Sequence, residues 1–262
     1  MPLTNLIVLA LIQGLTEFLP ISSSGHLIII PYLISWEDQG LIIDVAVHAG
    51  SLLAVIIYLW RDLWSIIAAL IDFRNLQQSP DLKLAKLIII ASIPVMIMGF
   101  IISLISDDLM RSIEIIGWAT LGFGILLGIS DKIGLAVSDL RHMGIGDAFL
   151  IGVSQALALI PGASRAGLTI TMARFLGYDR KTAARFSLLL AIPAILGAST
   201  LKGIEVVETN NLTLGIDALI AGSVSFLAAL ASISIMMAWL DRAGFMPFVI
   251  YRILLGALLF LL

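Results

Sequence analysis

Cysteine is absent from the 262 residues, which excludes disulfides, thiol catalysis and thiolate metal ligands and leaves the redox compartment open. Charge is scarce as well. Only 13% of residues are Asp, Glu, Lys or Arg, the mean hydropathy is strongly positive, and no polar run is long enough to form a soluble domain. No basic residue precedes Arg61, so the apolar N-terminus lacks the positive region of a secretory signal and an uncleaved chain is expected. Lys and Arg are scattered between apolar segments and form no basic stripe, which excludes a nucleic-acid surface. What is abundant is apolar: 60% of the residues are hydrophobic, the composition of an integral membrane protein.

Six apolar segments, about 41–60, 84–105, 112–130, 183–201, 215–240 and 248–262, are expected to cross about 30 Å of hydrocarbon as helices. Two others are cut in the middle, at Pro20 to Gly25 and at Pro161 to Gly167. Proline donates no backbone hydrogen bond, so each cut should end a helix. The flanking limbs, near 6–19 and 21–34 and near 147–160 and 162–176, run about 14 residues or about 21 Å. Limbs that short read as re-entrant hairpins, tolerated at membrane depth where protein or a water-filled cavity satisfies the broken backbone. A shift of 141 residues lays Leu19-Pro20 on Ile160-Pro161 and Ser23 on Ser164.

The predicted fold is therefore an all-α polytopic membrane protein, one membrane domain over 1–262, with repeats at about 1–135 and 140–262. Each repeat holds one re-entrant hairpin and three crossings, and an odd number of crossings inverts the second repeat relative to the first. In this topology Arg61, Arg74, Lys83, Lys86, Lys132, Arg141, Arg174, Arg180, Lys181, Arg185 and Arg242 share one face, and only Arg111 and Lys202 fall on the other. The positive-inside rule makes the first face cytoplasmic. Both termini then lie outside, the hairpins enter from opposite faces, and their tips meet near the midplane.

The two cuts carry the residues able to do chemistry, and ionisable groups at membrane depth point to a functional site. Gln13 and Glu17, four apart, share a helical face and can address one ligand, a hard cation or a water. Ser22, Ser23 and Ser24 begin a new limb, where free backbone N–H groups and the helix dipole favour an anion. Helix capping accounts for one serine but not for His26, three residues beyond Ser23 on the same face. Either Ser23 or His26 can serve as nucleophile with the other as base or proton carrier. The second cut adds Arg165, whose planar fork matches phosphate oxygens, beside Gly162, Ser164 and Thr169. Asp44 and His48, four apart, form either a structural pair or a proton-transfer pair. His142 lies in a polar loop, and 177–185 reads as a loop and helix cap.

Taken together, these stretches resemble the undecaprenyl-diphosphate phosphatase family of bacterial membranes, the bacitracin-resistance type. The similarity rests on Gln13 and Glu17, on Pro20 to His26 and on Pro161 to Thr169, and extends along the whole chain. The chain departs from the family at Ala166, usually serine there, and Gln13 leaves Glu17 as the sole carboxylate of its pair. The resemblance implies hydrolysis of undecaprenyl diphosphate to the monophosphate and inorganic phosphate, with Mg2+ or Ca2+ as cofactor, in the bacterial cytoplasmic membrane with an outward-facing site. Read onto that reaction, the residues themselves suggest catalysis by Glu17, Ser23, His26 and Arg165. Phosphate contacts fall to Ser22, Ser24, Gly162, Ser164, Arg165 and Thr169, and the metal to Glu17 with Gln13.

The rival class is a lipid or anion transporter, because inverted repeats with broken helices also build transport sites. A paired nucleophile and base separates the two, since hydrolysis requires one. Small residues at Gly122, Gly124 and Gly128 can pack helices within one chain or between two, which leaves a homodimer open.

Overall fold

The computed structural model describes residues 2–34, 36, 40–71, 79–104, 112–134, 138–208 and 215–261. They form eleven α-helices: α1 (Leu3–Thr16), α2 (Ser23–Leu33), α3 (Leu41–Tyr58), α4 (Trp60–Ile71), α5 (Pro80–Ser103), α6 (Ile113–Ile133), α7 (Ile145–Ala156), α8 (Arg165–Phe175), α9 (Arg180–Glu208), α10 (Gly215–Trp239) and α11 (Met246–Leu259). Short 3₁₀ turns occupy Leu140–His142 and Leu157–Leu159. Among the described residues the only β-type pairing is a single bridge between Ser138 and Tyr178. The chain is an all-α, multi-pass membrane protein.

Among the described residues five helices are long and apolar enough to cross a membrane: α3, α5, α6, the Arg180–Ile204 part of α9, and α10. The sixth expected crossing, 248–262, forms α11, which has 14 residues and so extends about 21 Å; the count of long crossings is five, not six. Arg74 and Arg111, used in the charge argument, lie outside the described residues.

Both cuts break the chain as the prolines require. The limbs α1, α2, α7 and α8 have 14, 11, 12 and 11 residues, and none reaches across about 30 Å. The new limbs begin alike. Among the described residues Ser22 and Ser164 are the two non-glycine residues with positive φ, at 73° and 70°, a left-handed conformation that L-residues rarely adopt. Ser22 Oγ accepts from the Gly25 N–H at 3.3 Å, and Ser164 Oγ accepts from the Gly167 N–H at 3.1 Å, each satisfying an orphan donor of a helix N-terminus. In conformation and bonding, then, Ser22 rather than Ser23 corresponds to Ser164. The second cut carries one more residue between its proline and its capping serine, so the shift becomes 142 there.

Helices of the two halves pack in exchanged pairs. α1 lies on α10 as α7 lies on α5; α3 lies on α10 as α9 lies on α5; α3 meets α9 and α6 meets α11. Small residues set these distances. A Cβ on Gly50 would stand 2.1 Å from the Gly222 carbonyl oxygen, and one on Gly152 would stand 2.4 Å from that of Ala91. Gly124 and Gly128 face Arg252 and Val249 of the same chain.

Charged helix ends gather on one side. Asp131 at the end of α6 accepts from Arg180 at 2.6 Å and from the Phe245 N–H at 3.1 Å, with Arg174 at 3.4 Å. Arg185 pairs with Asp62, Lys181 with Asp241 at 2.5 Å, and Lys83 donates to the Arg141 carbonyl at 2.8 Å. Asp179 caps α9, accepting from the Thr182 N–H at 2.9 Å, as the 177–185 reading expects. α4 lies at this face, tied by Arg185 to Asp62 and by Ser65 to Asp81. Trp60, Trp64, Ile67 and Ile71 of α4 are exposed, the pattern of a helix lying in a membrane interface. No sequence argument anticipated α4 as a separate helix, because its apolar residues run on directly from α3.

Candidate active site

Glu17 follows the last turn of α1 and is buried. Its Oε2 accepts from Gln13 Nε2 at 2.8 Å and from the Ser23 hydroxyl at 2.6 Å, and its Oε1 accepts from Arg165 at 3.3 Å. Three residues, from both hairpins, thus converge on one carboxylate. Gln13 reaches it because residues four apart share a helix face. Ser23 reaches it because the turn around Pro20 folds α2 back on α1. Arg165 arrives from the first residue of α8. The side chains of Arg165 and Glu17 are only 14% and 7% exposed, so each charge depends on the other, and removing one would leave an uncompensated buried charge. Arg165 is further held by the Ser187 carbonyl at 3.4 Å and by the Phe18 ring at 5.9 Å.

A cavity of about 360 Å³ opens above this cluster. Glu17, Ser22, Ser23, Ser24, Ser164 and Arg165 border it, together with Asp44 and His48 of α3, Gln155 of α7 and Ser199 and Lys202 of α9. At its far end Lys202 stands 3.7 Å from Asp44. His48 Nδ1 faces the Asp44 carbonyl oxygen at 2.7 Å and must donate to it, so this pair is joined through backbone rather than through the carboxylate.

Not every expected site residue reaches the cavity. His26 does not pair with Ser23: its Nδ1 faces the Ser22 carbonyl at 2.6 Å and its Nε2 faces the Tyr251 hydroxyl at 2.6 Å. Nδ1 must therefore carry a proton, and in the neutral ring Nε2 accepts from the Tyr251 hydroxyl. The two rings stack with centroids 5.7 Å apart. The ionisable group beside Ser23 is instead the Glu17 carboxylate, at 2.6 Å. Gly162 is a turn residue, φ 88°, pressed against Ile116, and its carbonyl accepts from Arg252 at 2.9 Å. Thr169 is buried against Ser187 at 2.7 Å and the Arg165 carbonyl at 3.0 Å. Gln13 sits behind Glu17, not on the cavity wall.

Three residues that matter here went unread in the sequence. Tyr251 holds His26. Arg252, fully buried in α11, donates to the carbonyls of Pro20, Ala119, Thr120, Gly162 and Ala163. Gln155 borders the cavity. A lone arginine inside an apolar segment is itself a signal, and a 142-residue shift carries Gln13 onto Gln155.

Among the described residues no group of three or more His, Asp and Glu is placed to hold a metal ion. The hard oxygen donors grouped at Glu17 are its own carboxylate, the Ser23 hydroxyl and the Gln13 carboxamide oxygen, which is buried with no partner.

A family model described as bacitracin resistance protein BacA matches residues 6–258. The chain is 49% identical to an undecaprenyl-diphosphatase of a Jannaschia species, over 99% of this chain and 98% of that protein. It is 46% identical to the undecaprenyl-diphosphatase of Roseobacter denitrificans, with the same coverage. Against undecaprenyl-diphosphatase 1 of Rhodospirillum rubrum the identity is 45%, over 99% of this chain and 94% of the relative.

Proposed function

Because the chain belongs to the bacitracin resistance protein BacA family, we propose that its cavity hydrolyses undecaprenyl diphosphate to undecaprenyl phosphate and inorganic phosphate, recycling the lipid carrier of cell-wall synthesis. The observation that carries this reading is the Ser23 hydroxyl donating to the Glu17 carboxylate at 2.6 Å with Arg165 on the same carboxylate. A hydroxyl bonded to a buried base is an activated nucleophile, and a guanidinium at a helix N-terminus is an anion holder.

In this mechanism Arg165 moves its fork from Glu17 to the terminal phosphate, while Ser24 and Ser164 donate hydroxyl hydrogen bonds to its oxygens. Ser23 Oγ attacks the terminal phosphorus and its proton passes to Glu17. The bond from phosphorus to the bridging oxygen breaks, and lipid monophosphate leaves as a stable anion that needs no added proton. Water then attacks the phosphoserine, and phosphate departs as Ser23 recovers a proton. Phosphoryl transfer of this kind rests on positioning and charge stabilisation.

A divalent cation fits the donor set, all of it hard oxygen. Glu17, Ser23 and the partnerless Gln13 oxygen would hold it, and it would neutralise charge on the diphosphate. The cavity is at the small end of the ~300–1,000 Å³ range of ligand pockets, so it takes the head group and the first isoprene units. The rest of the chain lies in the bilayer.

Orientation follows from α9. Its cationic start, Arg180 to Arg185, lies with the gathered charges, whereas the cavity runs along Ala194, Ala198 and Lys202 toward the opposite end. The positive-inside rule places the gathered charges in the cytoplasm, so the cavity opens outward. The exchanged helix pairs and the matching serines support reading the halves as inverted repeats with re-entrant hairpins.

Phosphate release from a C55 isoprenyl diphosphate in detergent, with and without EDTA, tests the reading in the parent and in Glu17→Gln and Ser23→Ala. Release by the parent and its loss in both variants is expected. No release by a folded parent would favour transport.

A further inference from the structure

Gln155 is fully buried on the last turn of α7, and neither its Nε2 nor its Oε1 has a partner. Buried carboxamides are nearly always hydrogen-bonded, because an unmet donor and acceptor keep the cost of leaving water without its return. Gln13 of the first half shows what such an amide nitrogen does when it has a partner. Gln13 donates to Glu17, four residues on, at 2.8 Å. Four residues beyond Gln155 stands Leu159, which has no polar side-chain atom to offer. The amide instead borders the same cavity as Glu17, Ser164 and Arg165.

We propose that Gln155 is a substrate-holding residue, its Nε2–H donating to an oxygen of the bound diphosphate while its Oε1 accepts from the water that later frees phosphate. This rests on the hydrolytic reading of the cavity. The ligand chemistry follows from the neighbours: Ser23, Ser24 and Ser164 bring hydroxyl donors, and Arg165 and Lys202, paired at rest with Glu17 and Asp44, can exchange those carboxylates for phosphate oxygens, so the group completing the amide is a polyanion. A carboxamide adds direction without charge. It can donate to one oxygen and accept from a water, which neither arginine nor lysine can do. The two glutamines thus divide the work, Gln13 orienting the base and Gln155 the group attacked.

The test uses the whole protein in detergent, with phosphate release from farnesyl diphosphate as the activity readout and the rise in melting temperature caused by inorganic pyrophosphate as the binding readout. Gln155→Leu is expected to lower kcat/KM by about ten- to a hundredfold, the range of one lost hydrogen bond to a charged oxygen, mainly through KM. Its melting temperature without ligand should equal or exceed that of the parent, since an unmet amide becomes apolar, and the pyrophosphate shift should shrink. Gln155→Glu should lose more activity than Gln155→Leu, because a carboxylate then faces phosphate. Retention of kcat/KM within twofold in Gln155→Leu overturns the proposal. So does a loss of activity that comes with a fall in melting temperature, which would make Gln155 structural, and so does parental activity in Gln155→Glu. A parent that releases no phosphate defeats the hydrolytic reading instead; the pyrophosphate shift of parent against Gln155→Leu then still decides whether Gln155 holds the anion.

Discussion

Arg252 donates to the carbonyl oxygen of Gly162 at 2.9 Å from a helix 90 residues further along the chain. The same guanidinium reaches the Pro20 carbonyl at 3.3 Å, so one side chain holds the turn of each hairpin. Broken helices at membrane depth leave carbonyls without N–H partners, and an arginine, all donor and no acceptor, is suited to gather them. It is the joint by which the two hairpins share a position.

Replacing Arg252 with Met should therefore loosen both turns at once. With five carbonyls losing their donor, the melting temperature in detergent should fall by roughly 5–10 °C, and Arg252→Lys should recover part of the loss. An unchanged melting curve for Arg252→Met would show that the turns hold without it.

Arg165 makes a different demand. Its fork serves Glu17 in the resting protein and, in the proposed mechanism, phosphate oxygens during turnover, whereas a lysine ammonium is a point charge. Arg165→Lys should keep the buried charge balance, so the fold should persist, while kcat/KM drops by about a hundredfold or more. Activity within twofold of the parent would remove Arg165 from the role given to it.

His26 offers a contrast, since Tyr251 occupies its acceptor nitrogen away from the cavity. Tyr251→Phe should cost about 1 kcal/mol of stability, the worth of one hydrogen bond, and change turnover by no more than about threefold. A much larger drop in kcat at unchanged stability would place the His26–Tyr251 pair in the reaction itself.

The absence of native cysteine makes orientation directly measurable. Single cysteines at Lys202 and at Lys181, which lie near opposite ends of α9, should react unequally with a membrane-impermeant maleimide added to intact cells. Lys202→Cys should label and Lys181→Cys should not. The reverse pattern would turn the cavity toward the cytoplasm.

Much of this architecture is legible in the chain because a bilayer punishes exceptions. Pro20 and Pro161 interrupt apolar runs, and Glu17, His26 and Arg165 stand where apolar residues are expected, so breaks and candidate site residues are visible without coordinates. Side-chain direction is not. Ser23 and His26 share a helix face by spacing, yet tertiary neighbours divide them, Glu17 drawing one and Tyr251 the other. Glu17 and Ser23 lie six residues apart across a turn, and no periodicity announces their contact. The repeat shift fails by one residue at the helix starts for a similar reason: the prolines align, but the second turn spends an extra residue before its serine cap. α4 escaped notice because its apolar face continues that of α3, and α11 falls short because its last turn ends at Leu259.

The resting pair of Glu17 and Arg165 also bears on how the site empties. Without substrate the guanidinium already has an anion, supplied by the protein and tethered within reach at 3.3 Å. In the proposed reaction an arriving phosphate binds by exchange, displacing a carboxylate rather than filling a bare positive hole. When product forms, that carboxylate competes for the fork as an intramolecular rival at high effective concentration. The site thus carries its own product antagonist: it weakens the hold on inorganic phosphate, limits occupancy by free phosphate in the surroundings, and returns to its starting state as phosphate leaves.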